Sequence, residues 1–259
     1  PKGLVGSEMC IRDRVVVACG DTSDDAADDV VEESSDTTAA PATTAAPAQE
    51  ESSSAPDGVF KLAIFQDPAT QNLFKWYDTD TDAYSLYQMT GQSVSLFGIS
   101  YPNYTLIPSM ATELVETSTD NGDGTFSYTV PIVEGYEWSD GNPITAQDWV
   151  FTYNTAKGLP LLGQWAAVWP SNCEVECVTN VEAIDDYTVK ISFNYDPGLT
   201  GWQYGAAVAP ALSKAYWEQF ATSREDLLAV SGAEAPVASA FVYDKIEQGA
   251  FYTWSYDPD

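Results

Sequence analysis

The chain has 259 residues, 44% hydrophobic and 13% aromatic, which is enough to bury a substantial core. Only 10 Lys and Arg stand against 39 Asp and Glu, a formal net charge of −29. Such an excess of acid leaves no cationic surface to displace phosphate counterions, which argues against nucleic-acid binding. The chain has no histidine, which excludes a Ser-His-Asp triad, a Cys-His pair and any His-ligated zinc site. The acidity itself reads as a solubility device, because like charge keeps a protein dispersed and monomeric.

Residues 1–14 (PKGLVGSEMCIRDR) fit neither a signal peptide nor the edge of a domain. They resemble a translated sequencing-adapter read-through and are set aside from the fold. Residues 15–19 (VVVAC) are similar to the end of a bacterial lipoprotein signal peptide, where the cysteine, here Cys19, becomes the first mature residue and carries the lipid. A fortuitous VVVAC is the alternative; the composition of residues 20–58 favours the lipobox. Those residues contain no Lys, Arg or aromatic residue and consist mainly of Asp, Glu, Ser, Thr, Ala and Pro. Such a segment cannot bury enough apolar surface to offset its ordering entropy, and it is expected to be a disordered, extended tether. No stretch approaches the roughly 18 apolar residues that cross a bilayer.

Order is expected from Val59 onward. Residues 59–65 (VFKLAIF) have strand composition and end at Gln66, Asp67 and Pro68. Residues 84–100 read as a helix leading into Leu96, Phe97, Gly98 and Ile99. The turn signal NGDG at 121–124 lies between residues 112–116 and the alternating 126–130, which predicts a hairpin. Thr145 precedes an apolar run beginning at Trp149 and is placed to cap a helix. Residues 181–184 and 187–193, separated by Asp185 and Asp186, predict a second hairpin. Residues 211–221 and 223–230 read as helical, and 249–256 as a strand. The class is α+β, rich in antiparallel hairpins.

Residues 133–151 (VEGYEWSDGNPITAQDWVF) carry a more specific pattern. Ser139, Asp140 and Gly141 turn the chain tightly, and Pro143 sets its exit. Thr145 caps the helix, Asp148 suits the positive end of its dipole, and Trp138 and Trp149 supply core area. This stretch resembles the W-S-D-G-x-P-hydrophobic-T-A-x-D segment of extracellular solute-binding protein family 5, the oligopeptide-, dipeptide- and nickel-binding proteins. Further stretches are similar to family segments in the same order. They are the loop Gln66, Asp67, Pro68; residues 107–113 (IPSMATE); residues 181–189 (VEAIDDYTV); and Gly249, Ala250, Phe251 with Trp254, where the spacing is looser.

The resemblance implies the first lobe of a two-lobed, type II (cluster C) periplasmic-binding-protein-like fold. Residues 59–259 would be that lobe, and the chain an N-terminal fragment whose second lobe is missing. It implies the substrate-binding component of an ABC importer, lipid-anchored at the outer face of the cytoplasmic membrane or in the periplasm. That component captures a peptide or related small solute, hands it to permease subunits and makes or breaks no bond. The expected protein is a monomer with no cofactor.

In the family the first lobe touches ligand from the segment after the first strand's loop, here about 80–87, and from a stretch after the capped helix. Asp82, Tyr84 and Tyr87 would offer hydrogen bonds and an aromatic wall; Trp165 and Trp169 would stack on an apolar part of the ligand. The same aromatics fit core or lobe-interface positions equally well. Asp78, Asp80 and Asp82 imitate the start of a calcium loop, but Ala83 and Met89 stand where such a loop needs glycine and glutamate, and no metal is expected. Cys10 lies in the set-aside stretch. Cys173 and Cys177 lack the further ligands of a zinc site and, in an oxidising envelope, are expected to pair as a short disulfide. Rival readings are a sensor lobe uncoupled from transport, a carboxylate-dependent hydrolase, and a structural surface protein on an acidic stalk.

Overall fold

The computed structural model describes residues 62–169, 177–247 and 249–256. The expectations for residues 1–58, including the lipobox and the tether, and for Cys173 lie outside them. Among the described residues no helix is long and apolar enough to cross a membrane.

The central element is a four-stranded antiparallel sheet, in the order β3-β4-β6-β5. Its strands are β3 (Thr119–Asp120), β4 (Phe126–Pro131), β5 (Val178–Asp185) and β6 (Thr188–Phe193). Two-residue alternation decides which face is buried: Val189, Ile191 and Phe193 of β6 are wholly buried, beside Tyr128 and Val130 of β4 and Val178 and Val181 of β5. The helix α3 (Ala146–Gly158) packs on β5 and β6. Its buried residues Trp149, Thr152, Tyr153 and Ala156 recur at the three- and four-residue spacing of one helical face.

Shorter elements surround this layer. They are α1 (Leu73–Asp78), α2 (Ser85–Gln88), the ribbon of β1 (Phe97–Ile99) with β2 (Leu106–Pro108), and α4 (Trp165–Val168). Beyond the sheet come a π-helical turn (Leu199–Gln203), a 3-10 turn (Ala206–Val208), α5 (Lys214–Trp217) and α6 (Arg224–Ala229). A separate ribbon of β7 (Phe241–Glu247) and β8 (Phe251–Tyr256) ends the described chain.

The capped helix and the second hairpin form as the residues predict. Five other segments differ. The helix read over 211–221 is limited to α5, because Ala211 pairs with Val94 in a β-bridge and Ser213 caps the helix only from there. Residues 62–65 are not a strand, and Phe65 is 97% exposed, because no strand edge among the described residues pairs with them. The helix read over 84–100 is limited to α2, for Gly91 follows it at φ 83° with Val237 and Ser239 packed against the space a side chain would need. The first strand of the NGDG hairpin is Thr119–Asp120 and not 112–116; the Val115 carbonyl accepts from the Trp202 indole at 2.9 Å and joins no ladder. Strand β7 carries no clear alternation and was not foreseen.

Asp148 ties three segments together. It is 4% exposed, and its carboxylate accepts from Thr145 N at 3.0 Å, Lys214 N at 2.8 Å and Trp138 Nε1 at 3.4 Å. The first contact is half of a capping box at the start of α3. The second fixes the start of α5, and the third holds the turn at 138–141.

Burial raises the Asp148 pKa above its ordinary 3.8, against the lowering effect of these hydrogen bonds. The folded protein therefore holds this proton more tightly than the unfolded chain. The stability it contributes is complete below pH 3.8 and is lost as pH rises through the raised value. Asp148→Ala leaves three buried donors without their acceptor and is expected to cost about 2–4 kcal/mol in urea denaturation. Asp148→Asn, titrated in parallel with the parent, should show its largest deficit at acid pH and a smaller one near neutrality. A deficit that grows with pH would contradict the assignment.

Candidate functional site

The residues read as ligand-contacting lie on two segments joined by α1. Asp82 is half-buried, and its carboxylate accepts from Tyr84 N at 2.9 Å, from Ser85 N at 2.8 Å and from the Ser85 hydroxyl. Its carbonyl accepts from Trp76 Nε1 at 2.6 Å. The side chain thus organises the start of α2, as an aspartate ahead of a helix does. Tyr84 is half-buried beside it. Tyr87 and Leu86 project outward, 43% and 42% exposed.

Trp165 sits in the core at 1% exposure, stacked on Phe74 with centroids 5.3 Å apart, its indole N–H donating to the Phe74 carbonyl at 3.0 Å. Tyr77 lies 4.8 Å from the Trp165 ring and 4.8 Å from Trp76. An aromatic path therefore runs from Trp165 through Tyr77 to Trp76, and so to the Asp82 carbonyl. The two segments are coupled through α1 without lying side by side. Trp169, also 1% exposed, meets the edge of Tyr153 at 5.5 Å, and its indole N–H has no hydrogen-bond partner among the described residues. Both tryptophans are buried in the core, while Tyr84 is half-buried and Leu86 and Tyr87 are exposed.

The three aspartates of the calcium-like run do not converge. Asp78 is buried and paired with Arg224, and its other oxygen accepts from Leu162 N at 2.5 Å. Asp80 pairs with Lys75 at 2.9 Å, and that hydrogen bond holds its pKa low. Asp82 caps α2. Among the described residues no three acidic or thiol groups gather as a metal-binding set. Asp120 and Asp123 are turn residues, accepting from Gly122 N at 2.8 Å and Thr125 N at 3.0 Å.

Two features escaped the sequence reading. The Asp78–Arg224 pair joins α1 to α6 across 146 residues, and nothing local to either residue announces it. A cluster of exposed tyrosines, Tyr101, Tyr104 and Tyr204, stands at the tip of the β1–β2 ribbon. Its available signal was the absence of any charged residue from 83 to 112.

The sequence profile of the bacterial extracellular solute-binding proteins, family 5 Middle, matches residues 105–250. No curated protein sequence matches the chain. Among solved structures, the periplasmic oligopeptide-binding protein of an oligopeptide ABC transporter from Thermotoga maritima superimposes with a TM-score of 0.57 at 20% identity, over 76% of this chain and 33% of that one. The same protein has also been solved with mannohexaose bound. A dipeptide-binding protein from Pseudoalteromonas, in complex with Met-Leu, gives 0.55 at 13% identity, over 74% and 38%. An ABC transporter substrate-binding protein from Listeria monocytogenes gives 0.54 at 21% identity, over 75% and 36%. The chain spans about a third of the length of these structures, and the likeness establishes the fold: part of a lobe of a type II periplasmic binding protein.

Cys177 is disulfide-bonded, and its partner lies outside the described residues. Peptide mapping of the non-reduced protein is expected to recover Cys173 linked to Cys177. A free thiol at Cys177 in protein isolated from an oxidising compartment would exclude the pairing.

Proposed function

Because the chain belongs to the bacterial extracellular solute-binding proteins of family 5, we propose that it is part of the substrate-binding component of an ABC importer. Residues 59–259 are the first lobe, residues 20–58 a tether, and Cys19 the lipid-bearing end of that tether. The protein captures a peptide or related small solute outside the cytoplasmic membrane and delivers it to the permease, with no bond in the solute made or broken. The profile match over 105–250, joined to the fold of the lobe, is the observation that carries this reading.

The ligand surface is the start of α2. Tyr84 and Tyr87 present an aromatic wall, Asp82 orders the turn into α2 by accepting from Tyr84 N and Ser85 N, and Trp165 links to this turn through Tyr77 and Trp76. A second lobe would close over this surface, and the solute would favour closure only by binding the closed form more tightly than the open one. The β7–β8 ribbon supports a further lobe. Phe241, Phe251 and Tyr256 are 52%, 44% and 66% exposed, and a two-stranded ribbon is marginal in water without something packed against it.

The cargo is a peptide or a related small solute, in keeping with Met-Leu in the Pseudoalteromonas structure and mannohexaose in that from Thermotoga. A protein carrying both lobes, screened by thermal shift against peptide and sugar pools, is expected to gain RT ln(1 + [L]/Kd). That is about 2.7 kcal/mol at a hundredfold excess over Kd. Tyr87→Ala in that protein should weaken binding without moving the melting temperature of the unliganded form. Unchanged melting with every pool would overturn the reading. In a lipoprotein-processing host, Cys19→Ser should shift the protein from the membrane to the soluble fraction; retention at the membrane would exclude the anchor.

A further inference from the structure

The tip of the β1–β2 ribbon is built at an energetic disadvantage. Tyr104 has φ 56°, a left-handed conformation that a bulky side chain rarely adopts. The strain is held by contacts from a distant segment: Gln203 Nε2 and the Tyr204 hydroxyl both donate to the Tyr104 carbonyl, at 2.6 and 3.1 Å. Within the loop, Tyr104 N donates to Ser100 O and Ser100 N to Thr105 O, each at 2.8 Å. All this fixes rings that contribute little to the core. Tyr101 is 85% exposed, Tyr104 54% and Tyr204 48%, and the first two meet edge to face at 5.8 Å. Strain maintained around a solvent-facing side chain points to function, because burial gains nothing from it.

Charge narrows the occupant. Both segments that build the tip, 83–112 and 197–213, contain no charged residue, in a chain whose net charge is −29. An anionic partner, a second copy of this chain included, is repelled by the overall field and finds no cation here. A cationic partner finds no carboxylate at the tip and many elsewhere. A wholly apolar partner would bury the Tyr101 and Tyr104 hydroxyls and the exposed Asn103 amide without hydrogen bonds from it. A neutral polyhydroxylated ring meets each condition, with its C–H face on an aromatic ring and its hydroxyls against phenol and amide groups.

We propose that the charge-free tyrosine face formed by Tyr101, Tyr104 and Tyr204, with the exposed Asn103 beside it in the chain, is a stacking site for a neutral saccharide. It lies outside the segments assigned to solute capture, and it stands or falls independently of the transport reading.

The test uses the 259-residue protein titrated calorimetrically with cellohexaose, maltohexaose and mannohexaose, and with hexagalacturonate as the charged counterpart. Saturable binding of at least one neutral hexaose is expected, with no binding of hexagalacturonate. Tyr101→Ala should weaken binding about fivefold or more, and Tyr101→Phe should keep most of it because the ring remains. The 85% exposure of Tyr101 leaves the melting temperature of both variants at the parent value. Unchanged affinity in Tyr101→Ala would place the sugar elsewhere and overturn the proposal. Absence of binding to all three neutral hexaoses, or a sedimentation profile showing dimers that Tyr101→Ala dissolves, would overturn it as well.

Discussion

The lobe depends on a carboxylate buried where three chain segments meet. Asp148 closes the first turn of α3, receives the backbone N–H that begins α5, and meets the indole of Trp138 in the preceding turn. A second relay runs alongside it: the Thr152 hydroxyl donates to Asp148 O at 2.8 Å and accepts from Leu212 N at 2.9 Å. Through these bonds the helix that covers the sheet is registered against the segment at 212–214. Burial alone opposes a charged group here, as its raised pKa records. What keeps the carboxylate in place is that the donors around it are backbone N–H groups and an indole, each costly to leave unpaired. The role is architectural, and the W-S-D-G segment identifies the family because it constructs this joint.

The apolar counterpart of that joint is Phe74. Its ring meets Phe151 of α3, Trp165 of α4 and Trp217 of α5, at 6.3, 5.3 and 5.3 Å. One side chain from the six-residue α1 therefore anchors three helices. Of the eight tryptophans, Trp138, Trp149, Trp165, Trp169, Trp202 and Trp217 are 2% exposed or less. Each buries roughly 200 Å², so the aromatic core supplies a gross driving force larger than any single polar contact. The same geometry assigns roles at the candidate site. Trp165 is committed to Phe74 and to a backbone carbonyl and acts by positioning, whereas Tyr87 has its ring in water. Sequence position alone could not separate these two cases; burial does.

What could be read from sequence depends on the range of the interaction responsible. Helix α3 was readable because Thr145, Asp148 and the face of Trp149, Thr152, Tyr153 and Ala156 all lie within a few turns of one another. The β5–β6 hairpin was readable because β6 alternates and Asp185 sits at its turn, accepting from Tyr187 N at 2.9 Å. Residues 59–65 have the composition of a strand, yet the described part, 62–65, pairs with no edge, and composition does not reveal the edge. The helix expected over 84–100 ends at Gln88, and beyond it Gly91 at φ 83° lies against Val237 and Ser239, well over a hundred residues later. The Asp78–Arg224 pair is equally remote. At the candidate site, the Asp82 cap spans three residues and could have been recognised locally, while the burial of Trp165 depends on Phe74, 91 residues away.

Charge adds a constraint that works at the scale of the whole chain. An excess of 29 negative charges forbids acidic residues from gathering in the interior, and the buried carboxylates obey this. Asp78 has Arg224, Asp148 has its ring of donors, and neither shares its site with another acid. Among the described residues the remaining carboxylates are half-buried or exposed, where salt screens them. Against that background a charge-free stretch is conspicuous. From 83 to 112 the chain passes from the α2 surface, with Tyr84 and Tyr87, to the ribbon tip, with Tyr101 and Tyr104, without one charged residue. Tyrosine supplies apolar area and a hydrogen-bonding group together, which lets a highly acidic lobe offer contact surfaces to neutral molecules without the repulsion that governs the rest of its exterior.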